Sequence, residues 1–264
     1  MKIAVSGKGG VGKTLLAALL SKTFAESGYS VIAIDADPDA NLAATLGFPH
    51  PKSITPISEM KDLIEERTGA RPGEPAPYFK MNPKVDDIPE KFAVKLDGIR
   101  LMRMGGLKRG GGGCYCPENA LLRTLIAHLL VARNEVVILD MEAGIEHLGR
   151  GTASAVDKLI VVVEPGRRSI ETAFSIKKLA GELGLRSLAA VGNKVRSQSD
   201  KEFLISSLPG FEFLGFIPFD QSIVDADLAN LPVLNSSQRV TSAVKEIYHA
   251  LQKGAAKKGT KNRS

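Results

Sequence analysis

At 264 residues and 44% hydrophobic, the chain is long enough to bury one large α/β core, and its length alone does not demand a second domain. No apolar run approaches the roughly 20 residues that cross a bilayer, and the first residues enter a strand without a signal-peptide pattern, so a cytoplasmic protein with no membrane partner is expected. The formal charge of +6 argues weakly for nucleic acid once it is located, because Lys253, Lys257, Lys258, Lys261 and Arg263 supply five positives in the last twelve residues and the remainder carries +1.

Ile3-Ala-Val5 reads as a strand, and Leu15, Leu16, Leu19 and Leu20 open an apolar-periodic helix. Between them lies Gly7-Lys-Gly-Gly-Val-Gly-Lys-Thr14, a phosphate-binding loop in the context that such a loop needs. Its glycines let the backbone wrap closely, so N–H groups from Gly9, Gly10, Val11, Gly12, Lys13, Thr14 and Leu15 face the phosphates of a nucleotide at a helix N-terminus. Lys13 would reach the β- and γ-phosphates, and the Thr14 hydroxyl would bind Mg²⁺.

Lys8 goes beyond the minimal motif, since one chain needs only Lys13 for its own phosphates. The spacing Lys8-Gly-Gly-Val-Gly-Lys13-Thr14 resembles the deviant phosphate loop of the MinD/ParA-type ATPases, a family that includes the nitrogenase iron protein. The resemblance implies a P-loop NTPase fold: a mostly parallel twisted sheet of about seven or eight strands with helices on both faces. It also implies that Lys8 crosses a homodimer interface to the partner's nucleotide, so that ATP or ADP controls dimerisation.

Val31-Ile-Ala-Ile-Asp35 reads as a buried parallel strand ending in Asp35-Ala-Asp37-Pro-Asp39-Ala-Asn41, where ligands bind in open α/β sheets. By the same resemblance Asp37 matches the switch I carboxylate that positions the attacking water, while Asp39 and Ala40 depart from the usual Gln-Gly. Asp35 suits either a strand-end cap or a catalytic role. Residues 49–91 hold eight prolines and one helical stretch, Ile57 to Thr68, and read as an insertion packed on the sheet. Phe92 to Leu96 and Ile99 to Met104 flank Asp97-Gly98, a hairpin whose first strand suits an antiparallel edge.

Residues 105–116 form a glycine-rich loop carrying Cys114 and Cys116. Pro117 suits the first position of a helix running to about Ala132, which places Cys116 near the N-cap, where the helix dipole favours thiolate. Two thiolates one residue apart can share a metal, and a four-thiolate site wants the same pair from a second copy. The pair therefore argues for a two-fold dimer independently of Lys8. The residues alone leave open Zn²⁺, Ni²⁺ or an iron–sulfur cluster, a redox dithiol, and two ordinary small residues.

Val136-Val-Ile-Leu-Asp140 is the next strand, and Asp140 at its end fits a Walker B carboxylate that holds Mg²⁺ through its water shell. Gly144 is placed to offer its N–H to the γ-phosphate, and His147 reads as a switch-loop residue, a metal contact or, in preference, an ordinary surface histidine. The cysteine pair, Asp140-Met-Glu-Ala-Gly-Ile-Glu-His147 and Val163-Glu-Pro-Gly-Arg-Arg-Ser-Ile-Glu-Thr172 together resemble the CooC-type accessory ATPases, which assist nickel insertion into carbon monoxide dehydrogenase. That resemblance spans residue 1 to about 250. It implies an ATP-dependent dimer that binds metal through Cys114 and Cys116. Leu15 stands where many relatives have a second threonine, which removes a hydroxyl near the α-phosphate and keeps the N–H.

Leu159 to Val163, Ser187 to Asn193 and Phe213 to Ile217 read as further strands, with helices near 169–183, 199–207 and 239–252. By resemblance Asn193 binds the adenine base and the loop Pro218-Phe-Asp220 completes its pocket. Residues 1–252 are expected to form one ATPase domain and 253–264 a disordered basic tail.

The reading favoured by the whole pattern is an ATP-hydrolysing metallochaperone that delivers nickel, or zinc, to carbon monoxide dehydrogenase or the related acetyl-CoA synthase. Two alternatives remain: an iron–sulfur-bridged reductase of the nitrogenase iron protein type, and a ParA/MinD-like positioning ATPase. The Cys-x-Cys spacing disfavours the first, and the cysteine pair and the lack of an amphipathic tail disfavour the second.

Overall fold

The computed structural model describes residues 1–76, 78–105, 116–131, 135–142, 148, 150–185, 187–229 and 231–261, with 150, 151 and 255–261 described by backbone alone. Its strands are β1 (Lys2–Gly7), β2 (Val31–Ala36), β3 (Val94–Leu96), β4 (Ile99–Arg103), β5 (Val136–Met141), β6 (Lys158–Val163), β7 (Leu188–Val195) and β8 (Glu212–Pro218). They form one sheet in the order β3-β4-β2-β5-β1-β6-β7-β8. Every neighbouring pair is parallel except β3 and β4. The continuous apolar runs follow from this arrangement, since β1, β2 and β5 are buried on both faces and have no side to turn to water.

The helices are α1 (Lys13–Glu26), α2 (Leu42–Thr45), α3 (Lys61–Thr68), α4 (Ile88–Phe92), α5 (Pro117–Val131), α6 (Arg150–Ala153), α7 (Arg167–Glu182), α8 (Gln198–Ser207), α9 (Gln221–Leu228) and α10 (Gln238–Lys261). One face of the sheet packs against α1 and α10 through Leu16, Leu20, Phe24, Val244 and Ile247. The other packs against α3, α5, α7 and α8 through Ile64, Leu121, Leu125, Ile176 and Leu204. Each face thus has its own core, as a doubly wound sheet requires.

At the β3–β4 turn, Asp97 and Gly98 both have positive φ (47° and 79°), which a two-residue hairpin of type I′ needs. Two local features differ from the sequence reading. Ile57 to Thr68 is not one helix: a 3₁₀ turn over Ile57–Glu59 precedes α3, and Met60 between them leaves the helical region. The Ser58 N–H is bonded to the Met104 carbonyl just past β4 (3.1 Å), so this turn docks on the strand end. In the segment expected to be a disordered tail, α10 continues to Lys261 rather than stopping near residue 252. Ala255, Ala256, Lys257 and Lys258 are strong helix formers, and adding residues to an existing helix avoids the cost of nucleation.

Gly192 on β7 sits under close packing from β8 and α8: an added Cβ would lie 2.5 Å from the Phe216 ring and 3.0 Å from Leu204. Gly192→Ala is expected to cost about 1–3 kcal/mol through overpacking. Chemical denaturation of parent and variant measures it, and equal stabilities would show that α8 moves freely on the sheet.

Candidate nucleotide site

Parallel strands direct β1, β2, β4, β5, β6, β7 and β8 to one edge of the sheet, so the segments that follow them share a face. The loop after β1 enters α1 at Gly12, whose backbone is left-handed (φ 98°, ψ 27°). A side chain there would collide with the Asn193 amide, so glycine is required twice over. Lys13 is 6% exposed and Thr14 and Leu15 are half-buried at the start of α1.

The loop is braced from β7. Asn193 Nδ2 donates to the Val11 carbonyl at 2.7 Å and Lys194 Nζ donates to the Gly10 carbonyl at 2.7 Å. Successive strand residues ordinarily face opposite sides of a sheet. Here the register shifts between Gly192 and Val195 and Lys194 adopts φ 55°, which lets both side chains reach the loop. Lys194 also donates to Glu164 (3.0 Å), and Lys8 donates to the other oxygen of the same carboxylate (3.3 Å).

Asp140, at the end of β5, is fully buried, and among the described residues neither of its oxygens has a hydrogen-bond partner of good geometry. Burial pushes its pKa up to about 7; Asp35 and Asp37 add to the rise, and the nearby Thr14 hydroxyl and Lys13 oppose it. Asp35 is also fully buried and is raised to about 6, chiefly by burial, but it accepts the Leu42 N–H at 3.0 Å. This contact assigns Asp35 the strand-end cap. Asp37 pairs with Lys13 (3.6 Å) and accepts the Asp39 N–H (3.0 Å), while Asn41 Nδ2 donates to the Asp39 carbonyl (2.7 Å). Lys13, Thr14, Asp37 and Asp140 are therefore brought together.

A cleft of about 550 Å³ runs from Gly9, Gly12, Lys13 and Thr14 past Asn193 to Pro218, Phe219, Asp220 and Val224. Asn193, Pro218 and Asp220, which the sequence reading places around the adenine base, all line it. Asp220 has a structural task too: it accepts the Ser222 N–H (3.1 Å) at the start of α9 and the Ser237 hydroxyl just before α10. Ser237 first, then Ser222, hold its carboxyl below the usual range.

Cys116 is half-buried and its carbonyl accepts the Ala120 N–H at 3.1 Å, which makes it the residue capping α5. Cys114, Gly144 and His147 lie outside the described residues. Among the described residues no three His, Cys, Asp or Glu side chains group closely enough to hold a metal ion. Sequence reasoning missed Glu164 and Lys194. Glu164 lay within the Val163-Glu-Pro motif, just past β6, and Lys194 near the end of β7, one strand further out.

The CobQ/CobB/MinD/ParA nucleotide binding domain matches residues 2–233 of the chain. Over 253 residues the chain is 48% identical to the carbon monoxide dehydrogenase accessory protein CooC of Rhodospirillum rubrum, covering 95% of this chain and 94% of that protein. It is 45% identical over 256 residues to an ATP-binding protein of Methanocaldococcus jannaschii, covering 96% and 98%. Among solved structures, a chain of the MinC:MinD cell division complex of Aquifex aeolicus superposes with a TM-score of 0.67 at 22% identity, covering 96% of each chain. The septum site-determining protein MinD complexed with Mg-ADP from Pyrococcus horikoshii gives 0.63 at 19% identity, covering 96% and 97%. Both likenesses show the fold.

A carboxyl whose folded pKa is raised favours the folded state while protonated. Asp140 contributes stability fully below about pH 4, the range of an unfolded Asp, and loses it as pH rises to about 7. In nucleotide-free, Mg²⁺-free protein, Asp140→Asn removes that slope and is expected to exceed the parent at pH 8 by on the order of 1–4 kcal/mol. Denaturant unfolding at pH 5 and pH 8 checks this. A difference between parent and variant that does not change with pH would contradict it.

Proposed function

Because this chain belongs to the CobQ/CobB/MinD/ParA nucleotide-binding family, we propose that it is an ATP-hydrolysing homodimeric metallochaperone of the CooC kind, serving a nickel enzyme such as carbon monoxide dehydrogenase or acetyl-CoA synthase. One observation carries the nucleotide part of this reading: a buried Asp140 with both oxygens unpartnered sits beside Thr14 and Lys13 at the foot of a glycine loop. Such a donor set fits a hard cation accompanying phosphate. Thr14 Oγ1 and Asp140 would hold Mg²⁺, which when bound neutralises phosphate oxygens.

The remaining steps belong to the chain. Backbone N–H groups of residues 9–15 cradle the phosphates, Gly144 offers its N–H to the γ-phosphate, and Lys13 leaves Asp37 to meet the β- and γ-oxygens. Asp37, freed from that pair, orients water for in-line attack and accepts its proton. Lys8 reaches the partner's nucleotide in the closed dimer. Asn193, Pro218 and Asp220 line the adenine end. The cargo, Ni²⁺ or Zn²⁺, is held by Cys114 and Cys116 of both copies. Nucleotide and metal each favour the dimer, so each strengthens binding of the other.

The position of Cys116 at the N-terminus of α5, on the nucleotide edge of the sheet, supports this reading, as does the 48% identity to a carbon monoxide dehydrogenase accessory protein. Asp37→Asn is expected to bind ATP and to lower hydrolysis by roughly a hundredfold or more, read as phosphate release. Loss of binding instead would assign Asp37 to the loop's structure. Anaerobic metal analysis with oligomeric state tests the cargo. One Ni²⁺ or Zn²⁺ per two chains is expected, lost in Cys114→Ser/Cys116→Ser together with metal-induced dimerisation. Equal metal content in parent and variant would remove the metallochaperone and leave the positioning ATPase.

A further inference from the structure

Lys8 is the residue that the proposed function sends across to a second subunit, yet in the single chain it is already engaged. Glu164 follows β6, which lies between β1 and β7 in the sheet, so its carboxylate stands between the phosphate loop and the β7 bulge. Its two oxygens divide between two lysines: Oε1 takes Lys8 Nζ at 3.3 Å and Oε2 takes Lys194 Nζ at 3.0 Å. The Glu164 N–H donates to the buried Ser169 hydroxyl at 3.0 Å in the first turn of α7, which fixes the carboxylate's backbone. Lys194 continues the chain of contacts to the Gly10 carbonyl, inside the loop that carries Lys8.

The geometry points to Glu164 as a latch: in the nucleotide-free chain it holds Lys8 back from the interface, and closure of the ATP-bound dimer requires Lys8 to exchange this carboxylate for the partner's phosphate. The inference rests on the reading of Lys8 as the residue that reaches the partner's nucleotide. It makes Glu164 a positioning residue acting through Lys8.

Three physical points support it. The two ligands compete for one ammonium, so whatever Glu164 contributes in the resting chain is subtracted from dimerisation. Lys8 is about a third exposed and Glu164 about a fifth, so the pair is partly screened and its exchange is readily reversible. After the exchange Glu164 is not stranded, because Lys194 remains its partner and the Gly10 carbonyl keeps its donor. Burial works against ionised Glu164, but Lys194 and Lys8 together keep its pKa below the ordinary value, so the latch is set at neutral pH.

The test measures the dimer dissociation constant by sedimentation with Mg²⁺ and the slowly hydrolysed ATP analogue AMPPNP. Four proteins are compared: parent, Glu164→Gln, Lys8→Ala and the double variant. Glu164→Gln is expected to dimerise about three- to tenfold more tightly than the parent with AMPPNP. The double variant is expected to match Lys8→Ala, because the latch acts only through Lys8. Glu164→Asp keeps the charge and is expected to fall between parent and Glu164→Gln, which separates charge from packing. Unchanged or weaker dimerisation of Glu164→Gln, with Lys8→Ala impaired, overturns the latch and leaves the reading of Lys8 standing. If Lys8→Ala dimerises as the parent does, the reading of Lys8 is overturned and the latch with it.

Discussion

Two carboxylates stand opposite one another on neighbouring buried strands, Asp35 of β2 and Asp140 of β5, and the site is arranged around that repulsion. Placing two acids at the ends of fully buried strands is tolerable only if each is answered or kept neutral. Asp35 is answered by the backbone N–H of Leu42, so it fixes the segment that bears Asp37. Asp140 has only the Thr14 hydroxyl and Lys13 nearby, and neither makes a close hydrogen bond to it. The apolar runs of Val, Ile and Leu that bury these strands therefore do two jobs. They hold the sheet, and they remove water from a carboxylate that, in the proposed function, meets the cation accompanying the nucleotide.

The loop facing that carboxylate is not left to the ligand to shape. Asn193 and Lys194 hold two of its carbonyls, and they can do so only because β7 gives up regular pairing between Gly192 and Val195. A non-glycine residue at φ 55° costs roughly 1–2 kcal/mol, and the two hydrogen bonds, of which the one from Asn193 is buried, offset it. The gain is preorganisation, since N–H groups already turned outward need not be ordered when phosphate arrives. Tying the loop to β7 has a second effect. The ends of β1, β6 and β7 are joined by hydrogen bonds through Gly10, Lys194, Glu164 and Lys8.

Most of the architecture was legible because its signals are local. The strands were written as continuous apolar runs, the hairpin as Asp97-Gly98, the loop as a glycine motif between a strand and a helix, and the start of α5 as Pro117. Lys13 and Thr14 could be placed from the glycine motif, Asp37 from its resemblance to a switch I segment, and Asp140 from its position at a strand end. Glu164 and Lys194 could not, because their roles depend on which strand neighbours β1 and on a bulge that reverses the usual alternation. The break at Met60 depends likewise on a partner 44 residues away, the Met104 carbonyl that takes the Ser58 N–H two residues earlier, counted between Met60 and Met104. The reach of α10 was misread for another reason: a lack of apolar residues argues against packing, and helix formation beyond an existing helix needs only propensity.

The same hydrogen bonds bear on how the cysteine loop, if it carries metal as proposed, can respond to nucleotide. Residue 105, where the described chain enters the cysteine loop, sits against Ser58 and Pro56, and the preceding Met104 N–H donates to the Asp35 carbonyl at 2.8 Å. The exit is Cys116, fixed by α5, whose Leu121, Leu122 and Leu125 lie in the core. Asp35 thus touches the loop's entry through its carbonyl and the Asp37 segment through its carboxylate. Contiguity alone does not carry coupling; an element with two arrangements must lie on the path. Asp37 pairs with Lys13 and accepts the Asp39 N–H, and the proposed function has it give up the first of these when Lys13 turns to phosphate. In the proposed function, displacement of Asp37 would be the step passed along the segment to Leu42, whose N–H is bonded to Asp35, and from Asp35 to Met104 at the strand that leads into the cysteines.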